Sequence, residues 1–249
     1  MTVLGRGARA AMFLRSFAIQ GSWNYRTLLG AGLAFALLPA LRRLYGNDSA
    51  RLDAAVRRHS GIFNSHPYLA PMAVGALAEL EEEGEDAAVI ERFKAAIRGS
   101  LGTLGDRLIW AGWRPVCLLF AITLVLLQVR WWVVVAAFLV VYNAGHLLLR
   151  IWAYHLGLTR GRGVGEQLRR SWVPQLQRIM SVVGAFLLGL VLPLLATGHL
   201  TGHRLALPWV VVAALAAVLG ARFGESVRRP IGLALAGFAL VGLLLKFVI

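Results

Sequence analysis

Three short stretches hold most of the residues in this chain whose types and spacing could do chemistry. The first is Gln20-Gly21-Ser22-Trp23-Asn24-Tyr25, which sets two amides and a hydroxyl among two aromatic rings. That mixture suits a saccharide, because amides bond paired hydroxyls and ring faces cover the apolar C–H patches of a sugar. The same letters fit an aromatic belt at a membrane interface, with Trp23 and Tyr25 as anchors and Asn24 as a helix cap. The second stretch is Phe63-Asn64-Ser65-His66-Pro67-Tyr68. Pro67 pushes His66 toward extended backbone and breaks a helix, leaving Asn64 to point into a cavity; a plain Asn-Ser surface turn is the alternative. The third runs from Gly99 through Gly102 and Gly105 to Asp106. Glycines three apart bare one helix face, so that another backbone can approach closely. Asp106 directly precedes a long apolar region, where a carboxylate is costly and usually serves a site; pairing with Arg107 or Arg114 at the membrane surface is the bland reading.

Other chemistry finds little support. No nucleophile is paired with a base, so intrinsic catalysis is not expected. His146 and His155 lie nine apart with no cysteine or carboxylate beside them, which argues against a metal site. Gly161-Arg162-Gly163-Val164-Gly165 has glycines like a phosphate loop. It lacks both the Lys-Ser/Thr ending and a preceding strand, and a flexible basic loop explains it. No cofactor is implied.

The elements that must position these stretches are apolar. The chain has 249 residues, 58% of them hydrophobic, with a mean hydropathy of +0.68, which excludes an ordinary soluble domain. The net charge is +14 and nearly all arginine, Lys94 and Lys246 being the only lysines. These arginines cluster between apolar runs, the pattern that orients membrane proteins, so nucleic acid is not the expected partner. Ten of the twelve carboxylates lie between Asp48 and Asp106. Cys117 is the single cysteine, which rules out an internal disulfide. Arg6, Arg9 and Arg15 precede Gln20 without a continuous apolar core, unlike a cleavable signal peptide.

A helix needs roughly 20 apolar residues to cross a bilayer. Trp131–Leu149, Ile179–Thr197 and Ile231–Ile249 come close, and Pro115–Val129 and Pro208–Ala221 are short spans that tilting or flanking residues would complete. The predicted fold is therefore all-α and polytopic, with about five transmembrane helices. They follow an N-terminal half of amphipathic, interfacial or re-entrant helices. The division is a motif-bearing region over 1–114 and a transmembrane region over 115–249. Arginine bias places the loops Arg150–Arg178 and Arg222–Arg229 in the cytoplasm, Gly198–Leu207 outside and the N-terminus inside. Leu28–Leu41, interrupted by Pro39, and Pro67–Ala78 are too short to span and read as re-entrant or interfacial. Asp48–Ser60 reads as an amphipathic helix capped by Asn47 or Asp48. Ala78–Arg98 reads as a charged surface helix, acidic at its start and basic at its end.

The ordered motifs from Phe13 to Pro115 resemble the IID membrane subunit of the mannose-family (mannose/fructose/sorbose) sugar phosphotransferase systems. The family's signature is similar to Q-G-S-W-N-[FY]-E-R-M-Q, then F-F-N-T-x-P and G-P-L-A-G-x-G-D. This chain keeps Gln20 to Tyr25, Asn64, Pro67, Gly102, Gly105 and Asp106, and replaces E-R-M-Q by Arg26-Thr27-Leu28-Leu29. The resemblance implies a non-enzymatic subunit of a sugar permease in the bacterial cytoplasmic (inner) membrane. It would pair with a IIC membrane subunit, in a trimer of IIC–IID pairs, while soluble IIA and IIB subunits carry the phosphoryl group. It also implies that Gln20, Trp23, Asn24, Asn64, His66 and Asp106 shape the IID side of a hexose-type sugar site. The basic loops and the helix carrying Glu79–Arg98 would face the soluble subunits or anionic membrane lipid. The loss of the glutamate after Tyr25 keeps open a divergent, transport-inactive structural or regulatory subunit.

Overall fold

The computed structural model describes residues 3–197. Their architecture is helical throughout. A first helix, α1 (Arg6–Arg15), runs into a 3-10 turn at Ser16–Ala18, and α2 (Gly30–Tyr45), α3 (Ser49–Ser60) and α4 (Ala70–Glu82) follow. Next come α5 (Ala87–Gly105), a π-helical segment at Asp106–Trp113, α6 (Arg114–Leu126) and α7 (Trp131–Arg160). A 3-10 turn at Gly161–Gly163, α8 (Val164–Arg169) and α9 (Val173–Thr197) complete the described chain. Among the described residues, three runs are long and apolar enough to cross a membrane: Ala87–Leu126, Trp131–Arg169 and Val173–Val191. Side chains such as Val140 and Leu148 on α7 are 68% and 67% exposed, an outward apolar surface that lipid or another apolar partner must cover. The further apolar runs 208–221 and 231–249, and the segments 198–207 and 222–229, lie outside the described residues.

The described residues of Met1–Trp110 and Asn143–Pro174 form one compact unit, and those of Ala111–Tyr142 and Gln175–Ile249 form another. In the first, α4 is the central helix. From Ala70 to Ala78 every residue is buried, which explains why its sequence is apolar on all sides yet too short to span. It crosses the C-terminal part of α7 at two glycines. A Cβ on Gly75 would lie 2.7 Å from the Tyr154 carbonyl oxygen, and one on Gly157 would lie 2.2 Å from that of Met72.

A buried carboxylate ties this unit together. Glu81 on α4 is 2% exposed. Its Oε1 accepts from Arg58 Nη2 at 2.6 Å and lies 2.6 Å from His59 Nε2, and its Oε2 accepts from Tyr45 Oη at 2.7 Å. Three consecutive helices, α2, α3 and α4, thus converge on one side chain. Burial alone would raise the Glu81 pKa; the hydrogen bonds from His59, Arg58 and Tyr45 outweigh it and hold the group at about 2. Burial pushes His59 below its ordinary value, so its neutral imidazole is the Nε2–H donor to Glu81. Lys94 of α5, also buried, donates to the Arg58 carbonyl at the end of α3.

Several local expectations are met and several are changed. α3 begins where predicted, with the Asp48 carboxylate accepting from Arg51 N–H at 3.0 Å. Pro39 does not interrupt α2, which continues to Tyr45. The Phe35 carbonyl that Pro39 cannot bond instead accepts from Arg15 Nη1 at 3.4 Å. Ala78–Arg98 is two helices rather than one. Gly84 takes φ +72°, and Glu85 N–H bonds the Leu80 carbonyl at 3.1 Å, the hydrogen bond of a Schellman turn. Arg150–Arg178 is largely helical, not a loop. Arg150 does not end the apolar helix because it is only 5% exposed, its guanidinium packed over the rings of Phe17 and Tyr68. The Gly161–Gly165 stretch folds as a 3-10 turn and the start of α8, and Arg162 pairs with Glu85 at 2.8 Å.

Candidate functional site

The site starts with a loop that is stitched to itself. Asn24 Oδ1 accepts from Thr27 N–H at 2.9 Å and Arg26 N–H at 3.0 Å, and its Nδ2 donates to the Ser22 carbonyl at 3.1 Å. The backbones of Asn24 and Leu28 bond to each other as well, Leu28 N–H reaching the Asn24 carbonyl at 2.8 Å. Closing this turn puts Leu28 at φ +56°, a left-handed conformation that a leucine adopts only under constraint. The chain then joins the second polar stretch directly. Phe63 N–H donates to the Thr27 carbonyl at 3.2 Å, and Leu29 N–H donates to the Phe63 carbonyl at 2.8 Å. Phe63 is fully buried, which anchors the pair of loops.

The third stretch completes the arrangement. Asn64 from the second loop and Asp106 from the end of α5 line one cleft of about 500 Å³. Leu28, Ile62, Arg98, Gly99, Gly102 and Thr103 make up the rest of its wall. The α5 contributors fall at i, i+1, i+4, i+5 and i+8, one continuous helix face. A cleft with a carboxylate, an amide, a hydroxyl and a guanidinium between two apolar side chains can fix a small polyhydroxylated solute in orientation.

His66 stands behind this cleft and helps to set its end. It is 3% exposed, its ring edge-on to Tyr68 and Trp110 at 5.1 and 6.1 Å between centroids. A Cβ on Gly105 would sit 2.0 Å from the His66 Cβ, so α5 reaches this depth only because residue 105 is glycine. Burial lowers the His66 pKa to about 4 against the opposing pull of Asp106, so the ring is neutral at physiological pH. Its Nε2 is buried with no hydrogen-bond partner among the described residues. The helix also changes character at Asp106, where the wider π turns begin. Pro115 lies just beyond, without an N–H to give and with its ring crowding the preceding turn. π segments of this kind recur at functional sites.

The six residues singled out from sequence are therefore arranged unequally. Asn64 and Asp106 share the cleft, His66 buttresses it, and Asn24 shapes the loop that brings Leu28 to its wall. Gln20 and Trp23 are exposed on the neighbouring loop outside the lining. Trp23 is 48% exposed and packs edge-on against Tyr25, which is 91% exposed. Sequence reasoning missed Arg98 and Thr103, because no local feature marks either as lining a cleft. Of the three glycines, only Gly105 is a close-packing position; Gly99 and Gly102 have open space where a Cβ would be.

A helical membrane protein with a polar cleft of small-solute size, set between two N-terminal loops and the end of α5, is the class that this fold and site define. The chain belongs to the mannose/fructose/sorbose family IID components of the PTS, whose family model matches residues 3–199. It is 28% identical over 183 residues to the PTS system mannose-specific EIID component of Escherichia coli K12, covering 72% of this chain and 64% of that protein. It is 29% identical over 184 residues to the fructose permease IID component of Bacillus subtilis 168, covering 72% and 66%. With the sorbose-specific EIID component of Klebsiella pneumoniae it shares 27% over 191 residues, covering 75% and 69%. The chain thus spans about two thirds of these relatives' length. Among solved structures, one described as a membrane protein matches with a TM-score of 0.66 at 27% identity, over 75% of this chain and 69% of that one. The cryo-EM structure of the mannose transporter ManYZ with microcin E492 shares the fold, with a TM-score of 0.59 at 23% identity over 96% and 95% of the two chains.

Proposed function

We propose that this chain is the IID membrane subunit of a mannose-type, phosphoenolpyruvate-dependent sugar phosphotransferase permease, forming with a IIC subunit the unit that translocates sugar. The observation that carries this reading is the convergence of Asn64 and Asp106, forty-two residues apart in sequence, on one cleft with apolar walls. Asn64 and Asp106 bind sugar hydroxyls, His66 holds the depth of the α5 terminus, and Asn24 keeps the strained turn in place. Gln20 and Trp23, on the exposed loop, act at the gate or at the face toward IIC. Phosphoryl transfer belongs to the soluble IIA and IIB partners, not to this chain. The protein resides in the bacterial inner membrane with its N-terminus in the cytoplasm, as part of a trimer of IIC–IID pairs.

The test has two arms. A mild-detergent pull-down from the native membrane should recover a second polytopic subunit in stoichiometric amount, and recovery of this chain alone would sink the paired-subunit reading. In cells, Asn64→Ala should reduce sugar uptake about tenfold or more while membrane insertion is unchanged. Unchanged uptake would remove Asn64 from the sugar site.

A further inference from the structure

Two opposite charges face the cleft without an ion-pair partner among the described residues: Arg98 and Asp106. They sit on one face of α5, eight residues apart, which separates their backbones by about 12 Å. The helix surface between them is bare. Gly99 and Gly102 line the cleft, and a Cβ on either would meet nothing within 4 Å. Asn64 and Thr103 supply an amide and a hydroxyl, and Leu28 and Ile62 supply apolar cover. Lys94 is buried and spent on the Arg58 carbonyl and on Glu91, whereas Arg98 is exposed and its guanidinium bonds none of the described residues. The guanidinium can donate to a neutral sugar's hydroxyls, but it binds a carboxylate more strongly. A ligand with an anionic group at its far end would use both charges.

We propose that the cleft takes an acidic saccharide, with Arg98 binding its carboxylate and Asp106 together with Asn64 binding hydroxyls at the other end. A planar guanidinium suits a carboxylate because it donates two parallel hydrogen bonds. This inference rests on the sugar reading of the same site and narrows it to a substrate class.

The experiment is equilibrium binding by calorimetry, using the full chain purified in mild detergent with its accompanying subunit. The probes are matched pairs: mannose, glucose and galactose with their hexuronates, and cellobiose with cellobiouronic acid. Sodium acetate serves as a simple-anion control. The wild type should prefer an acidic member to its neutral partner by about tenfold or more. Arg98→Gln should abolish that ratio, and Arg98→Lys should restore part of it. Equal or weaker binding of every acidic member, or a ratio that survives Arg98→Gln, would overturn the proposal and leave the sugar reading standing. Loss of the accompanying subunit in Arg98→Gln with the ratio unchanged would assign Arg98 to that interface and overturn it too. If no member of the panel binds, the sugar reading falls and takes this one with it.

Discussion

Gly105 and His66 meet so closely that no side chain fits between them: a Cβ on Gly105 would lie 2.0 Å from the His66 Cβ and 2.5 Å from its Cγ. This contact fixes how deep the end of α5 sits, and with it where Asp106 enters the cleft. Gly105→Ala must push the helix or the His66 loop away. Overpacking of this kind costs about 1–3 kcal/mol. The variant should lower the thermal midpoint of the detergent-solubilised protein and reduce uptake more than its stability loss explains. Gly102→Ala, at a position with open space, serves as the comparison and should leave the midpoint nearly unchanged. Equal midpoints in the two variants would show that the His66 contact does not govern this segment, since helix propensity alone favours alanine at both positions.

Glu81 makes a second, purely structural prediction. Its carboxylate is the shared acceptor of Arg58 and Tyr45, with His59 against it, in a fully buried setting. Removing one partner of a buried pair leaves an uncompensated charge and costs roughly 3–5 kcal/mol. Glu81→Gln should therefore fail to accumulate in the membrane, or accumulate with a sharply lower midpoint. Asp53→Asn, exposed on α3, should behave as the wild type. Normal accumulation of Glu81→Gln would mean that the hub contributes little to the fold.

The same cluster sets a pH dependence with a defined sign. The folded pKa of Glu81 lies near 2, below its ordinary 4.5. The unfolded chain therefore takes up the proton first as pH falls, and the stability from this group is complete above about 4.5 and lost progressively toward 2. Burial also lowers His59 from 6.5, so the unfolded state gains a proton there earlier, and a first loss begins below that value. Thermal midpoints measured from pH 8 to 3 should fall in that order. A midpoint that rises between pH 6.5 and 5 would show that His59 is charged in the folded protein, contrary to this assignment.

What the sequence revealed and what it hid can be stated from these residues. The amphipathic α3 was legible because its cap, Asp48, acts on the next turn. The pairing of Asn64 with Asp106 followed from motif resemblance, not from spacing. Arg98 was read as the basic end of a surface helix because nothing local distinguishes a solvated arginine from one that lines a cleft. The Glu81 hub was hidden for a related reason. Arg58, His59 and Glu81 look like ordinary surface charge until three helices fold onto them. Pro39 looked like a stop because the residue that satisfies its orphaned carbonyl, Arg15, lies on another helix. Long-range partners decide each of these cases, and hydropathy and caps report only local ones.

Arg15 and Pro39 can be tested as a pair. Arg15 Nη1 bonds the Phe35 carbonyl at 3.4 Å, and its guanidinium lies 4.7 Å above the Phe35 ring. Arg15→Met should cost about 1 kcal/mol in the wild-type background. In Pro39→Ala, residue 39 regains an N–H and can bond Phe35 within the helix, so Arg15→Met should cost less. A double-mutant cycle that is additive within about 0.5 kcal/mol would show that Arg15 does not compensate for the proline.

Leu28 carries strain that an engineered change should release. Its φ of +56° costs a non-glycine residue about 1–2 kcal/mol, a penalty that asparagine partly avoids. The side chain is only half-buried, so replacing it sacrifices limited apolar contact. Leu28→Asn should therefore leave the thermal midpoint unchanged or raise it. The adjacent Leu29 is 2% exposed, and Leu29→Asn should lower the midpoint severely by burying an amide without a designed partner. The strained backbone holds the turn between Asn24 and Phe63, and that turn is what brings residue 28 to the cleft wall. Leu28→Asn should thus retain the fold while changing the cleft from an apolar to a polar edge, which alters ligand affinity without altering insertion. A midpoint as low as that of Leu29→Asn would show that Leu28 acts as a core residue, and that the strain is repaid by its packing.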